Sequence, residues 1–249
     1  MSRSKKRRIL VPLVGILLVL TLLLVAVFVY LGSGYKADAA AVEAFVPEGA
    51  VTVTQGEDGM AFLPQDPKTG LIFYPGGKVE FTAYVPLMKA LAARGVLCVL
   101  PEMPFDLAVL DINAADGICA LYPAVEHWYI GGHSLGGSMA AAYLEKHPQD
   151  FAGLLLLASY STADLSGTEL SVLSIYGSED GVMDRENYAE NKANLPADFT
   201  ECVLEGGNHA GFGMYGVQKG DGIATLTQER QILLTADRFA AFLTEKGHL

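Results

Sequence analysis

Trp128-Tyr129-Ile130-Gly131-Gly132-His133-Ser134-Leu135-Gly136-Gly137 is the stretch on which the reading of this 249-residue chain turns. An apolar run, Trp128–Ile130, leads into Gly-His-Ser-Leu-Gly and then into Leu135–His147, a helical pattern that stops at Pro148. In a chain with 27 glycines the G-x-S-x-G pattern alone says little. Strand, tight turn and helix in succession say much more. A serine on so sharp a turn needs small residues two before and two after it, because those backbones nearly touch. Gly132 and Gly136 meet that need. Ser134 is then expected to stand out from the carboxyl edge of a sheet as a nucleophile. The Leu135 amide, at the positive end of the new helix, is placed to stabilise an oxyanion.

Short apolar runs flank this stretch on both sides. They fall at Val51–Thr54, Met60–Leu63, Leu71–Tyr74, Val96–Leu100, Trp128–Ile130, Leu154–Ala158, Val172–Tyr176 and Cys202–Leu204. Several are unbroken rather than alternating, as strands covered on both faces require. Helical patterns lie between them at Phe81–Arg94, closed by Gly95, then at Ala114–Leu121, Leu135–His147 and Gln228–Lys246. This alternation predicts an α/β protein: a mostly parallel eight-stranded sheet with helices on both faces. The first two runs are close together and read as an antiparallel hairpin at one edge.

The amino terminus is of another kind. Arg3, Lys5, Lys6, Arg7 and Arg8 precede the uncharged run Ile9–Leu31, which accounts for most of the mean hydropathy of +0.31. As a helix that run spans roughly 35 Å, enough to cross a hydrocarbon core of about 30 Å. A cleaved signal peptide has the same outline, and Ala37, Ala39 and Ala40 offer small residues for cleavage. Signal-peptide cores, however, run to about 7–15 residues. We therefore expect residues 1–8 as a cytoplasmic basic segment and 9–31 as a transmembrane signal-anchor. Residues 32–49 read as a stalk or a first helix, and 50–249 as the catalytic domain. The basic flank predicts a cytoplasmic amino terminus and an exported domain. Beyond residue 8 the chain has 12 basic against 28 acidic residues, a net charge of −16 that repels phosphate backbones and excludes nucleic acid as a partner. Cys98, Cys119 and Cys202 are read as free thiols, with one disulfide as the alternative, and no Cys/His spacing resembles a metal site.

Five segments stand in order along the chain: Tyr74–Lys78 (Tyr-Pro-Gly-Gly-Lys), Pro104–Leu110, Gly131–Gly137, Tyr176–Val182 and Gly206–Gly216, which contains Gly-Gly-Asn-His-Ala. From about Val51 to its end the chain resembles the α/β-hydrolase superfamily, and within it a compact bacterial group. In that family the nucleophile, the acid and the histidine follow one another along the chain. The resemblance therefore implies Ser134 as nucleophile, Asp180 as acid and His209 as base. His127, His133 and His147 come too early, and His248 is penultimate, where chain ends fray. For the acid, Asp180 in Gly177-Ser178-Glu179-Asp180-Gly181 is preferred, with Glu179 and then Asp184 as alternatives. The loop Pro75-Gly76-Gly77-Lys78 is expected to supply the second oxyanion amide, from Gly77 first and Lys78 next. Only Tyr160–Leu170 separates the sixth and seventh runs, too little for the helical lid of larger members. The site is then open, with Lys78, Phe105, Phe212 and Met214 as candidate walls, although apolar residues there serve equally as core.

Together these readings predict a membrane-anchored serine hydrolase acting on a small-molecule ester or related acyl substrate, with no metal or organic cofactor. The alternatives are an acyltransferase or peptidase on a cell-envelope substrate, or a non-catalytic binding module on the same scaffold. Two further patterns lead nowhere. Gly211-Phe-Gly213-Met-Tyr-Gly216 matches G-x-G-x-x-G but begins no βαβ unit, and Ile72 and Val79 break the phosphate-loop pattern around Gly76-Gly77-Lys78.

Overall fold

The computed structural model describes residues 3–47, 49–56 and 58–249, so Met1 and Ser2 of the basic segment lie outside the described residues. It divides into two units, one ending at Gly34 and the other comprising Tyr35–Leu249. The first is a single helix, α1 (Arg3–Gly32). Its stretch Leu13–Tyr30 is long and apolar enough to cross a membrane, and none of it is buried.

The second unit is built on one eight-stranded sheet: β1 (Thr52–Gln55), β2 (Gly59–Leu63), β3 (Thr69–Tyr74), β4 (Val96–Pro101), β5 (His127–His133), β6 (Gly153–Leu157), β7 (Ser171–Gly177) and β8 (Phe199–Leu204). Their order across the sheet is β1-β2-β4-β3-β5-β6-β7-β8. The expected hairpin is there: β1 pairs antiparallel with β2, and β2 antiparallel with β4. Every other pairing is parallel. Strand residues alternate between two separate cores, as the pleat demands. Leu71, Phe73, Tyr129, Leu155 and Ile175 face one, and Ile72, Ile130, Leu154, Leu156 and Val172 face the other. On the first face lie α3 (Val85–Ala92) and α7 (Gln228–Glu245), which contribute Leu87, Met88, Leu91, Ile232, Phe239 and Leu243. On the second lies α5 (Leu135–Leu144), with Ala140, Ala141 and Leu144. The unbroken apolar runs thus have the physical cause expected of them: both faces are covered.

Several elements are shorter than their sequence patterns. Phe81–Tyr84 is a 3-10 turn ahead of α3, which carries a proline in its first turn. Of the pattern 114–121 only α4 (Ile118–Leu121) is helical, because Gly117 just before it has φ +76° and breaks the run. The unforeseen α6 (Arg185–Asn191) starts at Asp184, whose carboxylate accepts the Asn187 N–H. The segment 32–49 is divided: α2 (Ala39–Ala44), capped by Asp38, and the residues from Tyr35 onward belong to the second unit. Tyr35 donates its N–H to the Lys78 carbonyl (2.7 Å) and accepts the Glu80 N–H (2.9 Å), while the Asp38 N–H reaches the Met214 carbonyl (2.8 Å). The penultimate His248 is not frayed. Its ring stacks on His127 and its Nδ1 meets the Tyr129 hydroxyl (2.8 Å), at the amino edge of β5 and far from Ser134 along that strand. Cys98, Cys119 and Cys202 are all unpaired.

Candidate active site

Parallel strands bring their carboxyl ends to one edge, and there the loops after β3, β4, β5, β7 and β8 meet. Ser134 stands between β5 and α5 with φ +53° and ψ −123°, a conformation that strains any residue with a Cβ by about 1–3 kcal/mol. The surroundings hold it there. Its N–H donates to the Leu157 carbonyl (2.9 Å), and its own carbonyl accepts the Ser159 hydroxyl (2.7 Å). The two glycines of the turn have no room to be anything else. A Cβ on Gly132 would stand 2.5 Å from the Tyr74 carbonyl and 2.6 Å from the Gly136 carbonyl carbon. A Cβ on Gly136 would collide with the carbonyls of Tyr74 and Pro75.

Asp180 and His209 are both buried, and the His209 Nδ1–H donates to Asp180 Oδ2 at 2.9 Å. The other Asp180 oxygen accepts the amides of Val182 (2.9 Å) and Met183 (2.8 Å). Burial by itself would raise this carboxyl, but the His209 bond and charge with the two amides outweigh it and hold it below the usual range. The alternatives face elsewhere: Glu179 is exposed and accepts the Ser178 hydroxyl, and Asp184 caps α6. With Nδ1 engaged as donor, Nε2 of His209 is the basic nitrogen. It is buried and has no hydrogen-bond partner among the described residues. The His209 ring lies 4.5 Å, centre to centre, from that of His133, the neighbour of Ser134 in the chain.

On the oxyanion side, the Gly76 N–H donates to the Tyr84 hydroxyl (3.1 Å) and the Lys78 N–H to the Asp106 carbonyl (2.6 Å). Neither amide is left for a substrate, whereas among the described residues no acceptor takes the Gly77 amide. A Cβ on Gly77 would touch Leu135 Cδ2 at 2.8 Å, so this glycine lies directly against the residue whose amide opens α5. Helix geometry leaves that Leu135 amide without an internal acceptor. The Gly77 amide, unlike those of Gly76 and Lys78, is thus without an acceptor among the described residues and lies beside Leu135.

Of the candidate walls, two are core. Phe212 is 0 % exposed and packs on His133 at 5.6 Å, and Met214 is 6 % exposed with both backbone groups bonded. Phe105 is 55 % exposed and lies in the turn bonded to Lys78. Residues without chemistry of their own hold the site together. Asp221 accepts the N–H groups of His209 (3.1 Å), Ala210 (2.8 Å), Gly181 (3.2 Å) and Gly222 (2.9 Å), tying the histidine loop to the acid loop. Gln231, buried on α7, grips Asn208 through its N–H (3.0 Å) and its carbonyl (2.8 Å). Tyr84 donates to His133 Nδ1 (2.8 Å) while accepting from Gly76, linking the oxyanion loop to the nucleophile strand. Burial, then the neighbouring His209, keeps His133 well below the ordinary histidine range, so it is neutral. Gln231 had a sequence signal, a polar residue on the apolar stripe of α7; Asp221, in a Gly-Asp-Gly loop, had none.

A model of the alpha/beta hydrolase family matches residues 70–233. No curated protein sequence matches the chain significantly. Among solved structures it is similar to TT1662 from Thermus thermophilus, at 16% identity and a TM-score of 0.57, over 79% of this chain and 98% of that one. It is also similar to a predicted CIB-like hydrolase from Thermoplasma acidophilum, at 15% identity and a TM-score of 0.56, over 77% of this chain and 100% of that one. At such identities the likeness is one of fold. With two thirds of its length matched by the family model, and with this sheet, the chain belongs to the alpha/beta hydrolase family.

Proposed function

We propose that the protein is a membrane-anchored serine hydrolase that cleaves a carboxylic ester or related acyl bond. One observation carries the reading: the Asp180–His209 pair leaves Nε2 unpartnered among the described residues, at the sheet edge where Ser134 is held in a strained turn and next to His133, the serine's neighbour in the chain. Ser134 Oγ attacks the acyl carbon as its proton passes to Nε2, forming the Oγ–C bond. Asp180 holds the imidazole tautomer and stabilises the imidazolium. The carbonyl oxygen takes up the negative charge against the amides of Leu135 and Gly77. Collapse breaks the bond to the leaving oxygen, which receives the proton from Nε2. Water, activated by the same nitrogen, then releases the acid and frees Ser134.

The anchor reading draws support from the catalytic unit itself. Cleavage near Ala37–Ala40 would cut through a segment bonded to Lys78, Glu80 and Met214, beside the oxyanion and histidine loops. A retained apolar span with five basic residues ahead of it favours an amino terminus in the cytoplasm and the catalytic unit outside. The test treats the full chain, as wild type and as Ser134→Ala, with a fluorescent fluorophosphonate and then with p-nitrophenyl esters of increasing length. Labelling and turnover lost together in the variant are expected. A folded wild type that is neither labelled nor active refutes the hydrolase reading, and labelling without ester turnover moves it to acyl transfer or peptide cleavage.

A further inference from the structure

Ten large apolar side chains are exposed on the catalytic unit among the described residues, and half of them come from two loops that border the site. Phe105 (55 % exposed), Val109 (48 %) and Leu110 (54 %) follow β4, in the turns bonded to the oxyanion loop through Lys78 and Asp106. Val217 (90 %) and Ile223 (91 %) follow His209, either side of the Asp221 that holds the histidine. Single exposed apolar residues are ordinary. Five gathered on two loops at one edge are not. Phe105 also has φ +55°, a left-handed conformation disfavoured for a bulky residue, and its ring is held outward rather than buried.

A second, independent feature lies at the same edge. Tyr35 pairs with the backbone on both sides of Val79, its hydroxyl accepts the Lys219 N–H (3.2 Å), and its ring lies 5.7 Å from that of Tyr215. It is thus fastened to both loops that frame the triad. Only Ser33 and Gly34 separate it from the end of α1. Fully extended, those links reach no further than about 11 Å. The segment that leaves α1 is thus tied within three residues to the loops at the rim of the site.

We infer that the site takes its substrate from the bilayer surface: a lipid-borne acyl ester, drawn in at headgroup depth past an apolar rim that dips into the interface. This rests on the membrane-anchored hydrolase reading and names its substrate class. The body carries a net charge of −16 beyond residue 8, so anionic headgroups do not attract it. The contact is made by apolar insertion and is insensitive to salt.

The test uses the full chain in phosphatidylethanolamine/phosphatidylglycerol vesicles. Val217→Cys and Ile223→Cys each carry an environment-sensitive NBD dye in a Cys119→Ser/Cys202→Ser background. Leu249→Cys, on the amino edge beside His248, serves as control. Blue-shifted emission quenched by brominated lipid at 217 and 223 but not at 249 is expected, unchanged between 50 and 500 mM salt. Equal, water-like emission at all three positions overturns the inference. So does a blue shift that vanishes in nanodiscs holding one copy, which assigns the rim to self-association. In parallel, a flexible 20-residue spacer between Ser33 and Gly34 should slow hydrolysis of a bilayer-borne monoacylglycerol at least tenfold, with soluble p-nitrophenyl acetate within twofold. Equal rates on the bilayer ester with and without the spacer also overturn it. Fluorophosphonate labelling in the same vesicles separates the failures. Rim insertion without labelling sinks the hydrolase reading, labelling without insertion sinks only the lipid one, and release of the chain from the vesicles sinks the anchor and this inference together.

Discussion

Asp221→Ala removes a carboxylate that accepts four backbone N–H groups, two of them on His209 and its successor. The Gly181 bond is exposed and counts least. The His209 and Ala210 amides are part-buried, and each left unpaired costs about 1–3 kcal/mol. Partial rehydration brings the expected loss to about 2–4 kcal/mol for the whole unit. For a domain of this size that is a fall of roughly 5–15 °C in Tm. The catalytic effect is of similar size in free energy, because the released loop carries the imidazole. A displacement of about 1 Å costs on the order of 100-fold in rate, and it should appear in kcat, with KM close to wild type. Asp221→Asn is the graded case. Its Oδ1 still accepts three amides, but Nδ2 meets the Ala210 N–H donor to donor, so a loss of roughly tenfold is expected. Steady-state kinetics on p-nitrophenyl butyrate, run well below each variant's melting range, with fluorophosphonate labelling rates alongside, decide the matter. Wild-type kcat in a fully folded Asp221→Ala protein would refute the positioning role, as would a loss confined to KM.

Three further outcomes follow from the same geometry. Ser134→Ala should abolish labelling and lower kcat by at least about 10³-fold while leaving Tm near wild type, checked by gel labelling and calorimetry. Asp180→Asn should lower kcat about 10³- to 10⁴-fold by releasing the histidine tautomer. The same carboxyl is held below its unfolded value near 3.9, so it stabilises the fold above about pH 4 and loses that contribution as pH falls through its folded value. The Tm gap between wild type and Asp180→Asn should therefore be widest at neutral pH and close below pH 4; a gap constant down to pH 2.5 contradicts the assignment. Tyr84→Phe deletes the hydroxyl shared by Gly76 and His133, leaving a buried imidazole nitrogen unpaired at about 1–3 kcal/mol. It should also loosen the oxyanion loop, giving about a tenfold loss in kcat without a change in labelling stoichiometry.

The parts of the molecule legible in its sequence are those where one physical demand selects one residue type. Buried parallel strands require unbroken apolar runs, so Leu154–Ala158 and Val172–Tyr176 announce β6 and β7 to within a residue. The nucleophile turn tolerates nothing larger than glycine at 132 and 136, so its place is written twice. The misreadings fall where a residue type is compatible with several fates. Phe212 and Met214 are apolar, and apolarity does not say whether a side chain fills a core or lines a pocket. His248 looks like a frayed end on chain position alone, and docks because His127 and Tyr129 offer it a stack and a hydrogen bond. Asp221 and Tyr35 are harder still, because their partners are main-chain amides and carbonyls, which every residue has. No spacing or composition marks them.

Those two residues share a mechanical task that explains why so open a site holds its shape. With only residues 158–170 between β6 and β7, none of them helical, the described residues hold no lid there to clamp the loops from above. Lys78, Phe105, Asp106, Ser134 and Ala158, five of the six non-glycine residues with positive φ among those described, lie at this edge. Such conformations persist only where their surroundings over-determine them. The restraint comes from the sides: Asp221 binds the histidine loop to the acid loop, Tyr84 binds the oxyanion loop to the nucleophile strand, and Tyr35 binds the oxyanion loop to the segment leaving α1. A lidded hydrolase closes over its substrate to exclude water. This one has lateral ties in place of a cover, and an apolar rim that a lipid surface would close.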